Sequence, residues 1–319
     1  MKKILITGGF GMVGASLSNI LCQKGFKIFI LDRSKKKRNL NFSNTSKIKR
    51  LYGNFNNLDQ FIKIIKKNKF TTIIHLGAIT QTVKSYLNPL ETFKTNITGT
   101  INILEAVRRV DKKINIIISS SAKAYGKMGI KPFIETDTLH GDYPDDVSKS
   151  AADLISQSYA KTYNLKIGII RSSNIYGPSD KNLGRLIPGI IIKSIKDEPI
   201  KLRASNKLRR DYVYVDDVSN AYYKLMLYMN INKKKKLFIY NISSKFNLNN
   251  LEVIKTIQKL MNTNLKIITS NSSSIENITQ KLNYKKAIKD LKWKPTNNFR
   301  DGILKTVNWY KKNYKNITK

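Results

Sequence analysis

The first fourteen residues leave this chain few options. Lys3-Ile4-Leu5-Ile6-Thr7 is an apolar run of strand length with no polar alternation, the pattern of a strand buried on both faces of a parallel sheet. It runs straight into Gly8-Gly9-Phe10-Gly11-Met12-Val13-Gly14. The spacing Gly8, Gly11, Gly14 suits a strand-to-helix turn wrapped around a dinucleotide pyrophosphate. The first glycine makes the turn, the second admits the phosphate, and the third lets the helix pack against the sheet. The helix that follows turns its unpaired N–H groups and positive dipole end towards the anion. Asp32 closes the next apolar run, at the distance expected for a ribose contact. A carboxylate there repels a 2′-phosphate, so NAD is expected rather than NADP, although Arg33 beside it would suit NADP.

Further along, short apolar runs recur at Lys27–Leu31, Thr72–Leu76, Asn115–Ser119 and Lys166–Arg171. Between them, apolar residues fall three or four apart, as at Phe93, Ile97, Ile101, Leu104 and Val107. Buried strands alternating with amphipathic helices predict an α/β fold, a doubly wound parallel sheet of the Rossmann type. After Arg171 the rhythm breaks into loops, a helical stretch near Pro188–Lys196, an apolar strand at Leu237–Asn241 and helical patterns near Asn249–Met261 and Arg300–Lys312. The expected division is a dinucleotide-binding domain from residues 1–171 and 212–245. A smaller α/β substrate domain would be built from residues 172–211 and 246–319.

Lysine and arginine total 59 against 21 acidic residues, a formal net charge of +38. That balance raises the question of nucleic acid. The lysines are scattered rather than gathered into a patch, and the runs Lys35–Arg38 and Lys233–Lys236 read as solvated loops, so a nucleic-acid partner is not expected. An anionic small molecule would still be drawn to such a surface. The single cysteine, Cys22, excludes an intramolecular disulfide framework and a multi-cysteine zinc site. The opening apolar run is too short for a signal-peptide core and no later run is long enough to span a bilayer, so no membrane role and a cytoplasmic location are expected.

With these glycines come further motifs: Gly53-Asn54-Phe55, Leu76-Gly77-Ala78 after His75, Asn96 with Gly99-Thr100, and Ser119-Ser120-Ser121 leading to Ala124-Tyr125-Gly126. Then follow Asn174-Ile-Tyr176-Gly177-Pro178, Arg210-Asp211-Tyr-Val-Tyr-Val-Asp216-Asp217 and Leu291-Lys-Trp293-Lys-Pro295. Over nearly its whole length the sequence resembles the extended short-chain dehydrogenase/reductases of the NAD-dependent epimerase/dehydratase type. The stretch from Tyr143 to Pro188 looks most like CDP-glucose 4,6-dehydratases. The resemblance implies an enzyme acting on a nucleotide sugar by hydride transfer at the sugar C4, and a homodimer formed through helices near Pro89–Arg109 and Ser148–Tyr163. It implies that Gly8, Phe10, Gly11, Met12, Val13, Gly14, Asp32, Arg33, Asn54, Phe55, Leu76, Gly77, Ala78, Asn96, Ser119 and Lys149 serve the cofactor. Ser121, Asn174 and Arg210 would serve the substrate, the last two at its diphosphate, which suits an arginine fork.

The catalytic pattern departs from the family in two places. The family places a tyrosine four residues before the lysine as acid and base, oriented by a serine or threonine. Lys149 and Ser121 match, but the tyrosine position holds Asp145. A free tyrosine titrates near about 10 and nearby cations can bring it towards neutrality, whereas an aspartate starts near about 3.9 and the same cations push it lower. Asp145 is therefore a poor base for a sugar hydroxyl. Its plainer reading is a helix cap after Pro144 that pairs along the helix surface with Lys149. Tyr143, two residues upstream, is the rescue candidate. The second departure is Ala122, directly after Ser121, where the 4,6-dehydratases carry a proton-donating acid. These departures leave an alternative, a homologue that binds cofactor and sugar nucleotide with lost or altered catalysis.

Overall fold

The computed structural model describes residues 2–34, 47–127, 131–202, 209–269 and 279–317. In chain order its first strands are β1 (Lys3–Thr7), β2 (Lys27–Asp32), β3 (Ile48–Tyr52), β4 (Thr72–His75), β5 (Asn115–Ser121) and β6 (Ile167–Ser172). Between them lie helices α1 (Met12–Gln23), α2 (Leu58–Asn68), α3 (Thr82–Leu87), α4 (Pro89–Phe93), α5 (Gly99–Val110) and α6 (Pro144–Tyr163). There follow β7 (Asn174–Tyr176), α7 (Leu186–Lys196), β8 (Ile200–Leu202), β9 (Arg209–Tyr214), α8 (Val215–Ile231) and β10 (Leu237–Ile242). The tail contributes β11 (Asn247–Asn249), α9 (Asn250–Met261), β12 (Ile267–Thr269), β13 (Thr279–Gln280), α10 (Lys285–Leu291) and α11 (Phe299–Ile317).

A seven-stranded parallel sheet, ordered β10-β6-β5-β4-β1-β2-β3, forms the centre. Successive strand side chains point to opposite faces. Ile4 and Ile6 join one core, with Ile28 and Ile30, while Leu5, Phe29 and Leu31 join another. Both faces are covered by helices, which is why the strands read as unbroken apolar runs. The strand missed by that reading, β3, is Ile-Lys-Arg-Leu-Tyr at the sheet edge, where no residue is fully buried. The chain direction across the sheet reverses between β1 and β4, so a crevice opens beyond Thr7 and His75, the paired ends of those strands.

The second half builds a separate core from α7, α9 and α11 with β8 and β9, including Ile190, Ile191, Tyr212, Ile254 and Ile303. Its strands form small sheets in which β9 pairs with β7, β11 and β13. Part of the tail turns back to the large sheet. Ala287, Leu291 and Trp293 sit in the same core as α8 and β10, and the Trp293 indole donates to Asp217 O at 2.9 Å.

Inside the sheet's carboxyl end lies a fully buried ion pair. The Arg171 guanidinium on β6 donates to both carboxylate oxygens of Asp153 on α6, at 2.8 and 2.9 Å, and also to Tyr125 Oη at 2.9 Å. Tyr125 in turn donates to Asn241 Oδ1 on β10 at 2.7 Å and its ring stacks on Phe133 at 4.6 Å. Removing one partner of such a pair strands the other charge without water. Asp153→Ala is therefore expected to lower stability by about 3–5 kcal/mol in urea unfolding, and a loss below about 1 kcal/mol would contradict the role given to this network.

Candidate functional site

Gly8 adopts φ +68, and a Cβ there would lie 2.7 Å from Gly77 N, so only glycine fits between β1 and the loop after β4. A Cβ at Gly14 would come 2.5 Å from Gly9 Cα and 2.6 Å from Gly8 O, which fixes how closely α1 meets the turn. Gly11 differs. It is the N-cap of α1, and a Cβ there would meet only Gly8 O, at 3.3 Å, leaving open space in front of the helix. No acidic residue occupies the first turn of α1 to neutralise its N–H groups. The bend thus has the geometry to hold an anion such as a dinucleotide pyrophosphate.

The neighbouring features agree. Asp32 ends β2 buried, accepting Ser34 N–H at 3.1 Å and paired with Arg50 Nη2 at 2.8 Å. The same Arg50 guanidinium lies 5.6 Å from the centre of the Phe10 ring. Arg33 points into solvent, whereas Met12 is buried and Val13 half-buried. Phe55 packs edge-on against His75, at 5.1 Å between ring centres, and would abut a Cβ at Gly77 or Gly99. Asn54 accepts Asn56 N–H on its side chain. Leu76, Gly77 and Ala78 are half-buried, with Leu76 and Gly77 directly against Gly8 of the bend. Burial, helped by the Lys149 charge, pulls the His75 imidazole down to about 3, so it stays neutral while Nδ1 shares a 2.7 Å hydrogen bond with Thr7 Oγ1.

Asn96 is buried in a π-helical turn at Lys94–Thr98. Its amide bonds both the N–H and the carbonyl of Ile79 and donates to Ser148 Oγ at 2.8 Å. One side chain thereby locks the loop after β4 to the helix residue preceding Lys149. Lys149 Nζ donates to Ser119 O at 3.1 Å. Desolvation brings its ammonium down to about 8, against the opposing pull of Asp145 and Asp153.

Asp145 does not lie on an exposed helix surface. Tyr143 is the N-cap of α6, its carbonyl accepting Val147 N–H at 2.8 Å, which puts Asp145 inside the first turn. Asp145 is buried, and its Oδ2 meets Lys123 Nζ at 2.5 Å and Thr82 Oγ1 at 3.1 Å. Lys123 also reaches Thr82 Oγ1 at 3.0 Å and Asp146 Oδ1 at 3.7 Å. Ser121 caps the short turn carrying Lys123 by accepting that residue's own N–H at 3.2 Å, and Ala122 between them is buried. Burial pushes the Asp146 carboxyl up to about 6, with Lys123 opposing, Asp145 and Asp142 adding, and Arg210 opposing.

The charge of Arg210 on β9 thus reaches the first turn of α6. The adjacent Asp211 accepts from Ser243, Asn247 and Leu282 N–H, and Asp216, at the start of α8, accepts from Ser16. Asn174 is half-buried on β7, in register with Tyr212 of the same β9. Sequence reading passed over Thr82, Lys123 and Arg50. The available signal for Lys123 was a cation two residues after Ser121 in a chain that also has a carboxylate at the tyrosine position.

A family model described as GDP-mannose 4,6 dehydratase matches residues 5–306. The dTDP-glucose 4,6-dehydratase of Salmonella typhimurium is 28% identical, over 97% of this chain and 92% of that protein. A trifunctional UDP-glucose 4,6-dehydratase/epimerase/reductase of Arabidopsis thaliana is 27% identical over 98% of this chain, which spans only 47% of that longer protein. Among solved structures, Bacillus anthracis dTDP-glucose 4,6-dehydratase in complex with NAD superposes with a TM-score of 0.86 at 26% identity, covering 99% of this chain and 98% of that one.

Two predictions follow from the cradle and from Asp146. Gly14→Ala should lower the melting temperature of the free protein, because backbone atoms must move. Gly11→Ala should melt as wild type does yet lose the stabilisation given by added NAD, since its methyl projects where the pyrophosphate would sit. Equal melting losses for both would contradict the assignment. Asp146 titrates near 3.8 when unfolded and near 6 when folded, so between these values folding takes up a proton. Its stabilising contribution is complete below the unfolded value and disappears as pH rises through about 6. Asp146→Asn should melt near wild type at about pH 4 and a few degrees higher at about pH 8. No gain at the higher pH would count against a strained carboxyl.

Proposed function

Because the chain belongs to the GDP-mannose 4,6 dehydratase family, we propose that it is an NAD-dependent nucleotide-sugar enzyme of the epimerase/4,6-dehydratase type, working by hydride transfer at the sugar C4. The observation that carries this reading is the convergence of the glycine cradle, Ser121 and Lys149 around one end of one parallel sheet. NAD, when bound, supplies the hydride acceptor. The chain's own residues do the rest. Gly8 and Gly14 set the tight bend, Gly11 admits the pyrophosphate before the helix, and Asp32 accepts from the adenosine ribose. Lys149, anchored on Ser119 O, holds the nicotinamide ribose, and Ser121 polarises the sugar oxygen being oxidised. Asn174 and Arg210, on paired strands of the second lobe, hold the sugar nucleotide's diphosphate. Asn96 acts as a strut for this machinery, since its amide is already used by Ile79 and Ser148.

In this reading the large sheet serves the cofactor and the α7/α9/α11 lobe the sugar nucleotide, while Ala287, Leu291 and Trp293, expected in the substrate domain, pack with the large sheet instead. A homodimer completes the reading. Tyr86, Leu87 and Leu90 of α3 and α4 are exposed beside Val147 and Leu154 of α6, and these helices pack on one another into one face. A mate would cover these side chains. Nucleic acid is not part of this reading. Among the described residues no helix is long and apolar enough to cross a membrane. A cytoplasmic location follows from dependence on NAD and a sugar nucleotide.

The test supplies NAD with a panel of CDP-, UDP-, GDP- and dTDP-sugars, following nicotinamide absorbance and the sugar products by NMR. Conversion of at least one sugar nucleotide to an epimer or a 4-keto product is expected. NAD binding with no conversion across the panel would contradict the enzymatic reading.

A further inference from the structure

The position of Asp145 raises a chemical problem that its neighbours answer. Resting on the nucleotide-sugar reading above, we propose that Lys123 is the proton-transfer residue of this site, and that Asp145, in the family's tyrosine position, is the carboxylate that exchanges a proton with it.

The arrangement supports this in three ways. First, Lys123 covers the carboxylates. Its side chain is 29% exposed, whereas those of Asp145 and Asp146 are 6% and 4% exposed. An incoming hydroxyl therefore meets the ammonium before either acid. Second, the head is held from several sides, by Asp145 at 2.5 Å, Thr82 at 3.0 Å and Asp146 at 3.7 Å. A lysine normally loses much rotamer freedom when it acts at one point; here the loss is met by folding. Third, Lys123 and Ser121 share one turn, since the Lys123 N–H donates to Ser121 Oγ. Lys123 thus springs from the same turn that carries Ser121, which in this reading holds the sugar oxygen.

The step balances as follows. As the C4–H bond breaks, its electron pair leaves as hydride to the oxidised nicotinamide, and C4 becomes a ketone. Lys123 Nζ first gives one proton to Asp145 Oδ2, and the lone pair of the neutral amine so formed then takes the C4 hydroxyl proton. The sugar is oxidised, the dinucleotide is reduced, and the proton rests on Asp145. Return of hydride and proton reverses the transfer. Lys149 is left to hold the ribose, its ammonium donating to Ser119 O. Tyr143 is not required.

The test labels wild-type protein with an amine-reactive reagent and reads Lys123 by peptide mass spectrometry, with exposed Lys161 as internal control. Binding is measured by calorimetry in parallel. Labelling of Lys123 in the free protein is expected, with at least a fivefold slowing by whichever sugar nucleotide binds and none by the matching nucleoside diphosphate. Turnover by Lys123→Arg is expected to fall at least 100-fold with sugar-nucleotide affinity within tenfold, because a guanidinium keeps the ion pair but does not give up its proton. No labelling in the free protein, or slowing by both ligands or neither while calorimetry shows binding, overturns the role of Lys123 and leaves the nucleotide-sugar reading intact. Turnover by Lys123→Arg within threefold of wild type does the same. Absence of binding by every sugar nucleotide overturns both.

Discussion

Backbone meeting backbone at the switch point of the sheet is the constraint from which the rest follows. Three segments converge there: the end of β1, the start of α1 and the loop after β4. Gly8 lies so close to Gly77, and Gly14 so close to Gly9 and the Gly8 carbonyl, that a single added methyl at Gly8 or Gly14 would overlap main-chain atoms. That closeness brings α1 end-on to the crevice and leaves the space before Gly11 open. Without it there would be a sheet and helices but no anion cradle between them.

The chemistry is assembled around that cradle by buried polar side chains that each join two elements. Asn96 ties the loop after β4 to α6, and Arg171 ties β6 to α6 and to the turn carrying Tyr125. Ser121 and Lys149 are thereby held on neighbouring rigid elements rather than on free loops. The first turn of α6 is unusual within this frame, because burying two adjacent carboxylates costs solvation. Lys123 pairs with Asp145 and opposes the shift at Asp146, whose burial still pushes its carboxyl up to about 6.

Much of the fold was legible because its strands are buried on both faces and so read as unbroken apolar runs. The runs at Lys3–Thr7, Thr72–Leu76 and Asn115–Ser119 each meet a strand of the sheet. The edge strand β3 was not legible, since exposed Lys49 and half-buried Arg50 interrupt its pattern. Losing β3 hid Arg50, the partner of Asp32. In the candidate site, the glycine spacing and the serine and lysine were visible because each requires one residue type at a fixed interval. The Lys123–Asp145–Thr82 cluster was not, because its members are separated by 22 and 41 residues and only tertiary structure brings them together. The cap expected at Asp145 falls instead on Tyr143, since Pro144 already occupies the first helical position.

The central claim is that the bend at Gly8–Gly14 grips the pyrophosphate of a nicotinamide dinucleotide with Asp32 on its ribose. Calorimetric titration of the wild-type protein with NAD and, separately, NADP tests it most directly. The account predicts saturable NAD binding at submillimolar concentration, with NADP at least tenfold weaker. Absence of heat from either dinucleotide at millimolar concentration, in protein freed of any carried ligand, would contradict it.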